Sequence, residues 1–392
     1  MTSALPALIT PRLVRWARER VRASHQAIAD RLKVEPQQVA SWEQGDLYPT
    51  FRQAHELANF LSIPFGYLYL SSPPSERTPL PDLRTLAGRS PKKLSPEFRD
   101  TLNEAILKQH WYRDYLQEQG RSRLEFIGKC SMGDDVNQVA DDIRQTIGID
   151  DNLRNETSTW EEFLTALVRR CDAKGILVFR NGVVGSNVHR SLSVREFRGF
   201  AITDDLAPVI FINTQDSKTA QIFTLVHETV HLWVGKSGIS NPDLRTKTSE
   251  ASNRIERFCN RIAAEILIPE RGFLENWSGT LSIEQNLSQL SRIYRVSTSV
   301  ALRRAYELNV LEYSEFLRLL KREEARWKRI SRRKQDGGNF YNMLISRNSS
   351  ILTRALVEGA SEGRVLSREA ARLLGVKISV IGSIAEKFAG AP

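Results

Sequence analysis

The chain has 392 residues, 41% apolar and 26% charged, with a formal net charge of +10. That length predicts two or three domains, no run of about 18 apolar residues exists to span a bilayer, and the positive charge favours an anionic partner, nucleic acid being the commonest. Cys130, Cys171 and Cys259 form no CxxC pair, and Met1-Thr-Ser-Ala-Leu-Pro6 lacks a secretory leader, so a disulfide framework is excluded and a reducing cytoplasm is expected.

Residues 1–70 predict four short helices, over 11–22, 24–33, 36–44 and 51–61. Ser24 is a good N-cap, and Gly45 falls where a C-terminal cap would sit. Ala27, Ile28, Leu32, Val34, Val39 and Trp42 supply a small core. Ser24-His-Gln-Ala-Ile-Ala-Asp-Arg-Leu, then Val34-Glu-Pro-Gln-Gln-Val-Ala-Ser-Trp-Glu-Gln-Gly45 with Pro49-Thr beyond, resembles a helix-turn-helix of the XRE and lambda-repressor type. Such a module would offer Gln37, Gln38 and Ser41 to base edges, since glutamine can bond an adenine twice in the major groove. Ser24, His25 and Gln44 would lie near phosphates, with Arg52 a further phosphate candidate. Glu35 and Glu43 lower the local basicity, and the same fold also serves as a docking or dimerisation module.

Residues 71–81, Ser-Ser-Pro-Pro-Ser-Glu-Arg-Thr-Pro-Leu-Pro, read as a linker, because their prolines continue neither a helix nor a central strand. A helical connector follows to about residue 150: Leu102, Ile106, Trp111, Tyr115 and Leu116 recur near helical spacing over 95–118, and 136–148 and 160–174 follow suit. The period then changes. Residues 175–180 and 208–213 are short β-branched and aromatic runs, predicted as strands, ahead of two strong helices over 219–234 and 249–267, the second ended by Pro269. From about residue 283 to the end the pattern is helical. The basic run between Lys321 and Lys334 reads as a solvated helix face rather than a DNA contact, Gly337-Gly338 breaks the chain, and residues 366–381 have only a loose likeness to a second helix-turn-helix, better explained by helix packing.

The chemistry concentrates in Gln221-Ile-Phe-Thr-Leu-Val-His-Glu-Thr-Val-His-Leu-Trp-Val. Four residues separate His227 from His231, so both imidazoles leave one helix face a turn apart, as two zinc ligands require. Phe223, Val226, Val230 and Val234 form an adjacent apolar stripe that would hold the helix to a sheet while the histidines look into a cleft. Glu228 is placed to take a proton from a water activated by the metal and pass it to a leaving amine. A catalytic zinc takes three protein ligands and keeps one position open, and downstream Glu250, Glu256, Glu265 and Glu270 are candidates for the third.

Phe223-Thr-Leu-Val-His-Glu-Thr-Val-His-Leu, followed by Ile255-Glu-Arg-Phe-Cys-Asn-Arg-Ile-Ala-Ala-Glu-Ile-Leu-Ile-Pro269, resembles the ImmA/IrrE family of metallo-endopeptidases across roughly residues 175–270. The resemblance implies Glu256 as third ligand, with Asn260 one turn on as a group orienting a ligand. It also implies that the strand over 209–213 runs beside the cleft, where an extended peptide would add by main-chain pairing. Members of the family typically cut a transcriptional repressor in mobile-element, stress-response or toxin–antitoxin settings.

The expected architecture is α+β and predominantly helical. It comprises a helix-turn-helix domain (1–70), a linker and connector (71–150), a zincin-like peptidase domain with a small sheet (151–275) and a helical C-terminal region (276–392). The expected protein is a cytoplasmic, DNA-binding regulator with a zinc endopeptidase site that cleaves a repressor or antitoxin-type partner; manganese would suit the same ligands, and self-association into a dimer is left open. The competing reading is a regulator or antitoxin whose metal site is not catalytic.

Overall fold

Proline costs a helix nothing in its first turn, where the missing N–H would have had no partner, and Pro11 and Pro36 each open a helix. The computed structural model describes residues 5–21, 23–74, 94–240, 251–330 and 339–389, in two units that divide near residue 100. Most of the proline-rich linker, Glu250, Gly337, Gly338 and the basic side chains from Arg326 to Lys334 lie outside the described residues.

The first unit holds α1 (Pro11–Arg20), α2 (His25–Leu32), α3 (Pro36–Gln44) and α4 (Phe51–Phe60), then a 3-10 turn at Phe65–Tyr69. Ser24 Oγ accepts the Ala27 N–H at 3.1 Å to cap α2, and Gly45 ends α3 at φ 86°, as the sequence suggests. Lys33, at φ 55°, turns the chain between α2 and α3. Ile28, Leu32, Val39 and Trp42 are buried with Val14, Ala17, Leu57 and Leu61. Ala27 is half-buried rather than in the core, and Ala29 is the alanine that packs there.

The second unit begins within α5 (Pro96–Glu118) and continues through α6 (Val136–Ile147), α7 (Asp151–Asn155) and α8 (Trp160–Ala173). Its sheet comprises β1 (Leu177–Asn181), β4 (Gly199–Ile202), β5 (Val209–Asn213) and β6 (Gly238–Ser240), in the order β1-β5-β4-β6. Only β1 and β5 are parallel. A separate hairpin, β2 (Val183–Val184) with β3 (Asn187–Ser191), leaves the end of β1.

The expectation that residues 209–213 border a cleft is corrected here. β5 is interior, paired to β1 on one side and β4 on the other, so no peptide can add to it. The reason is visible in Val-Ile-Phe-Ile, an unbroken buried run of the kind found in strands covered on both faces. Val178, Ile210, Ile212 and Ala201 turn one face toward the main core, while Phe179, Phe211 and Phe200 stand in register on the other.

Against the first face lies α9 (Lys218–Val234), with α8 and α10 (Ala251–Leu267) beside it. Then come α11 (Glu270–Asn276), α12 (Ile283–Ile293), α13 (Thr298–Glu307) and α14 (Tyr313–Ile330). The last helices are α15 (Phe340–Asn348) and α16 (Ser350–Ser361), both packed on β1, followed by α17 (Ser367–Leu374) and α18 (Ile381–Ala389). No described helix is long and apolar enough to cross a membrane.

Candidate metal centre

Ser217 caps α9 by accepting the Ala220 N–H at 3.2 Å, and Gly235 ends it at φ 67°. Between them nearly every residue is buried, because sheet, α8 and α10 cover the helix on several sides. His227 and His231 share one face, their Nε2 atoms 3.1 Å apart. From α10, Glu256 spans the pair, Oε2 lying 3.2 Å from His227 Nε2 and Oε1 3.2 Å from His231 Nε2.

Those three separations test whether a metal fits. Zinc bonds of about 2.0–2.1 Å in a tetrahedral arrangement put ligand atoms about 3.3 Å apart. The two Nε2 atoms and the Glu256 oxygens, one facing each ring, stand at separations of that size, and one ligand atom from each of the three residues lies within 4.8 Å of the others. The donor set, two imidazoles and a carboxylate, is one that zinc favours. No other cluster of three His, Cys, Asp or Glu ligand groups occurs among the described residues.

The electrostatics agree. Burial alone would raise the Glu256 carboxyl, but the two histidines outweigh it and hold the group down at about 2. Burial pushes His227 toward its neutral form, against Glu256 and the neighbouring Asn260 side chain. Burial works the same way on His231, yet Cys259 and Glu256 overcome it and raise that imidazole well above its usual value. A carboxylate held ionised beside a histidine held protonated is an arrangement in which a cation can displace the proton.

The other glutamates are elsewhere engaged. Glu265 binds the buried Arg304 guanidinium and accepts the Glu270 N–H at 3.2 Å. Arg304 also donates to Ile268 O, and Arg154 to Ile266 O and Leu267 O, so two arginines satisfy the terminal carbonyls of α10. Glu270 is exposed at the head of α11.

Glu228 is wholly buried on the next turn face, directed at the sheet: a Cβ on Gly199 of β4 would stand 2.9 Å from its Oε1. The histidines do not look into an open cleft as the sequence suggests. His227, Glu228 and His231 are 0% exposed and Glu256 6%, so bulk water does not reach the centre in this conformation. Two residues with a part here, Gly199 and Cys259, escaped the sequence reading. A glycine inside an apolar strand run is the signal that marks close backbone approach, and Gly199 carried it.

In the first unit, Gln37 and Gln44 are exposed on α3 and Ser41 is half-buried. Gln38 is exposed too, but its Oε1 accepts the Glu35 N–H at 3.2 Å within a capping box. Ser24 spends its hydroxyl on the α2 cap. His25 Nε2 lies 3.2 Å from Glu43 Oε2, in a carboxylate also held by Arg18 and Arg15. Arg52 is exposed and paired with Glu56 at 3.1 Å.

Residues 171–306 match the peptidase family described as the IrrE N-terminal-like domain, a span that holds His227, Glu228, His231, Glu256 and Asn260. The match covers less than half of the chain and supports the ImmA/IrrE resemblance for its central part, a metallopeptidase-type domain of a zinc-dependent family. No curated protein and no solved structure matches the chain significantly.

Proposed function

We propose that His227, His231 and Glu256 hold a zinc ion and that Glu228 is the general base of an endopeptidase. The observation that carries this is the convergence of two imidazoles and the Glu256 carboxylate at separations that suit a tetrahedral ion, with a second buried carboxylate beside them. Zinc bound there would supply Lewis acidity toward a peptide carbonyl and toward water, with manganese able to use the same ligands. Glu228 takes the proton of the attacking water and delivers it to the amine that leaves. Asn260, beside His227, would orient that ring for a bound ion.

The first unit is proposed to bind operator DNA, with Gln37, Gln38 and Ser41 toward bases and Ser24, His25, Gln44 and Arg52 toward phosphates. Together the two parts make a cytoplasmic regulator that cuts a repressor or antitoxin-type protein. The test is incubation of the chain with the product of the adjacent gene, with and without chelator, and mass measurement of fragments. Cleavage by the unmodified protein and none by Glu228→Gln is the expected result; equal cleavage by both contradicts it.

One observation favours a second reading. A metal site whose ligands and base are all buried also suits a non-catalytic centre in a DNA-binding regulator. One stoichiometric zinc without cleavage of any adjacent-gene product would favour that reading.

A further inference from the structure

A peptidase must admit a peptide, and its ligands and base here are closed off. We propose that β6 is a self-inhibiting strand: it occupies, on the outer edge of β4, the place that an extended segment of the substrate takes when the site works. The proposal rests on the peptidase reading above.

The edge is identified by Glu228. Gly199 is the β4 residue that abuts the Glu228 carboxylate, with a built Cβ 2.9 Å from Oε1. Neighbouring strands run about 4.8 Å apart, so the residue paired across from Gly199 is the next backbone outward from the base. That residue is Ser240, in a register of Gly199 with Ser240, Phe200 with Ile239 and Ala201 with Gly238. The interior position of β5 leaves no alternative beside the base, and β1, the far edge, is separated from β4 by β5.

The chain reaches that edge directly from the metal helix. Lys236 donates its N–H to His231 O at 3.1 Å. Ser237 Oγ then accepts the Thr203 N–H at 2.8 Å and shares a 2.5 Å bond with Thr203 Oγ1, pinning the turn to the end of β4. Three residues of β6 follow. A strand so short makes few backbone bonds, so an incoming extended segment has only the pairs at Gly199 and Ala201 to replace. The partner implied is an unfolded or linker segment read through its backbone, presented to Glu228 in the antiparallel direction that β6 now takes.

Two variants of the full-length protein test this. Ser240→Pro removes the backbone N–H that β6 turns toward Gly199, and Ser237→Ala removes the hydroxyl latch. Loaded with zinc, both are expected to lose the metal to a chelator at least tenfold faster than the unmodified chain, and to exchange the amide hydrogens of Gly199 and Ala201 faster, with the amides of Phe200 and β5 unchanged. Unaltered metal loss and amide exchange in both variants overturns the proposal. Ser237→Ala decides the matter if the proline variant fails to fold. The exchange measurement needs no metal, so absence of zinc from the unmodified chain would sink the metal reading separately.

Discussion

Gly199 and Glu228 meet where β4 passes α9, so closely that a Cβ at Gly199 would stand 2.9 Å from Glu228 Oε1, as well as 2.6 Å from Thr224 Cγ2. Neither neighbour can retreat, since Thr224 and Glu228 are both buried. Gly199→Ala is therefore expected to shift the Glu228 carboxylate while leaving His227, His231 and Glu256 in place. Cleavage should fall by at least tenfold with zinc stoichiometry kept, and stability should drop by about 1–3 kcal/mol from overpacking. Full activity in Gly199→Ala would show that the Glu228 position is not set by β4.

The glutamates of α10 separate ligand from scaffold. If Glu256 holds a zinc ion and Asn260 orients His227, Asn260→Ala weakens zinc binding about 10- to 100-fold and Glu256→Ala by more, because one loses an orienting group and the other a donor. Glu265→Ala should keep zinc affinity but cost about 3–5 kcal/mol by stranding the buried Arg304 guanidinium. Competition with a zinc indicator and urea melts on the three variants check both halves. Loss of zinc from the Glu265 variant with full affinity in the Glu256 variant would reverse the assignment.

What the sequence revealed depended on how far each signal reached along the chain. His227 and His231 were legible because helical spacing alone places them on one face. Glu256 became legible only through its Phe-Cys-Asn context, since Glu250, Glu265 and Glu270 lie at comparable distances and nothing local tells a ligand from an ion-pair partner of Arg304. Besides the five-residue β3, whose Asn-Val-His-Arg-Ser run is almost wholly exposed and offers no apolar face, the strands β4, β6 and β2, of four, three and two residues, were missed. Runs that short carry no period of their own and exist through pairing with residues distant in sequence. The family resemblance set residues 209–213 beside a cleft open to an added strand, and β5 is instead paired on both sides; an apolar run reveals that a strand is buried, not which neighbours bury it.

Asp172 gives the second unit a pH dependence. It accepts hydrogen bonds from Ser349 Oγ at 3.0 Å and Ser350 Oγ at 2.5 Å, joining the end of α8 to the start of α16. Burial raises its carboxyl to about 6 from 3.8, although both serines favour the ionised form. The folded state thus keeps a proton that the unfolded state has already released. The stabilisation is complete below about pH 4 and is lost as pH rises through about 6, a change of about 3 kcal/mol at most. Urea melts from pH 4 to 7 should show this decline in the unmodified protein and a smaller one in Asp172→Asn, which cannot ionise. The same slope in both proteins would assign it to another group.

The two glutamines at the start of α3 should separate DNA reading from helix capping. Gln37 is exposed and has no role in the helix cap, whereas Gln38 Oε1 holds the Glu35 N–H. If α3 reads bases, Gln37→Ala costs about 1–3 kcal/mol of discrimination at one base pair and leaves the melting temperature alone. Gln38→Ala should also destabilise the first unit, by about 0.5–2 kcal/mol, because the cap goes with it. Neither substitution removes a charge, so the slope of affinity against salt should stay that of the unmodified protein. Titration of operator and scrambled duplexes at two salt concentrations, with a melt of each variant, measures all three quantities. An unchanged preference for operator DNA in Gln37→Ala would remove that side chain from the base-reading surface and leave shape and phosphate contacts as the means of recognition.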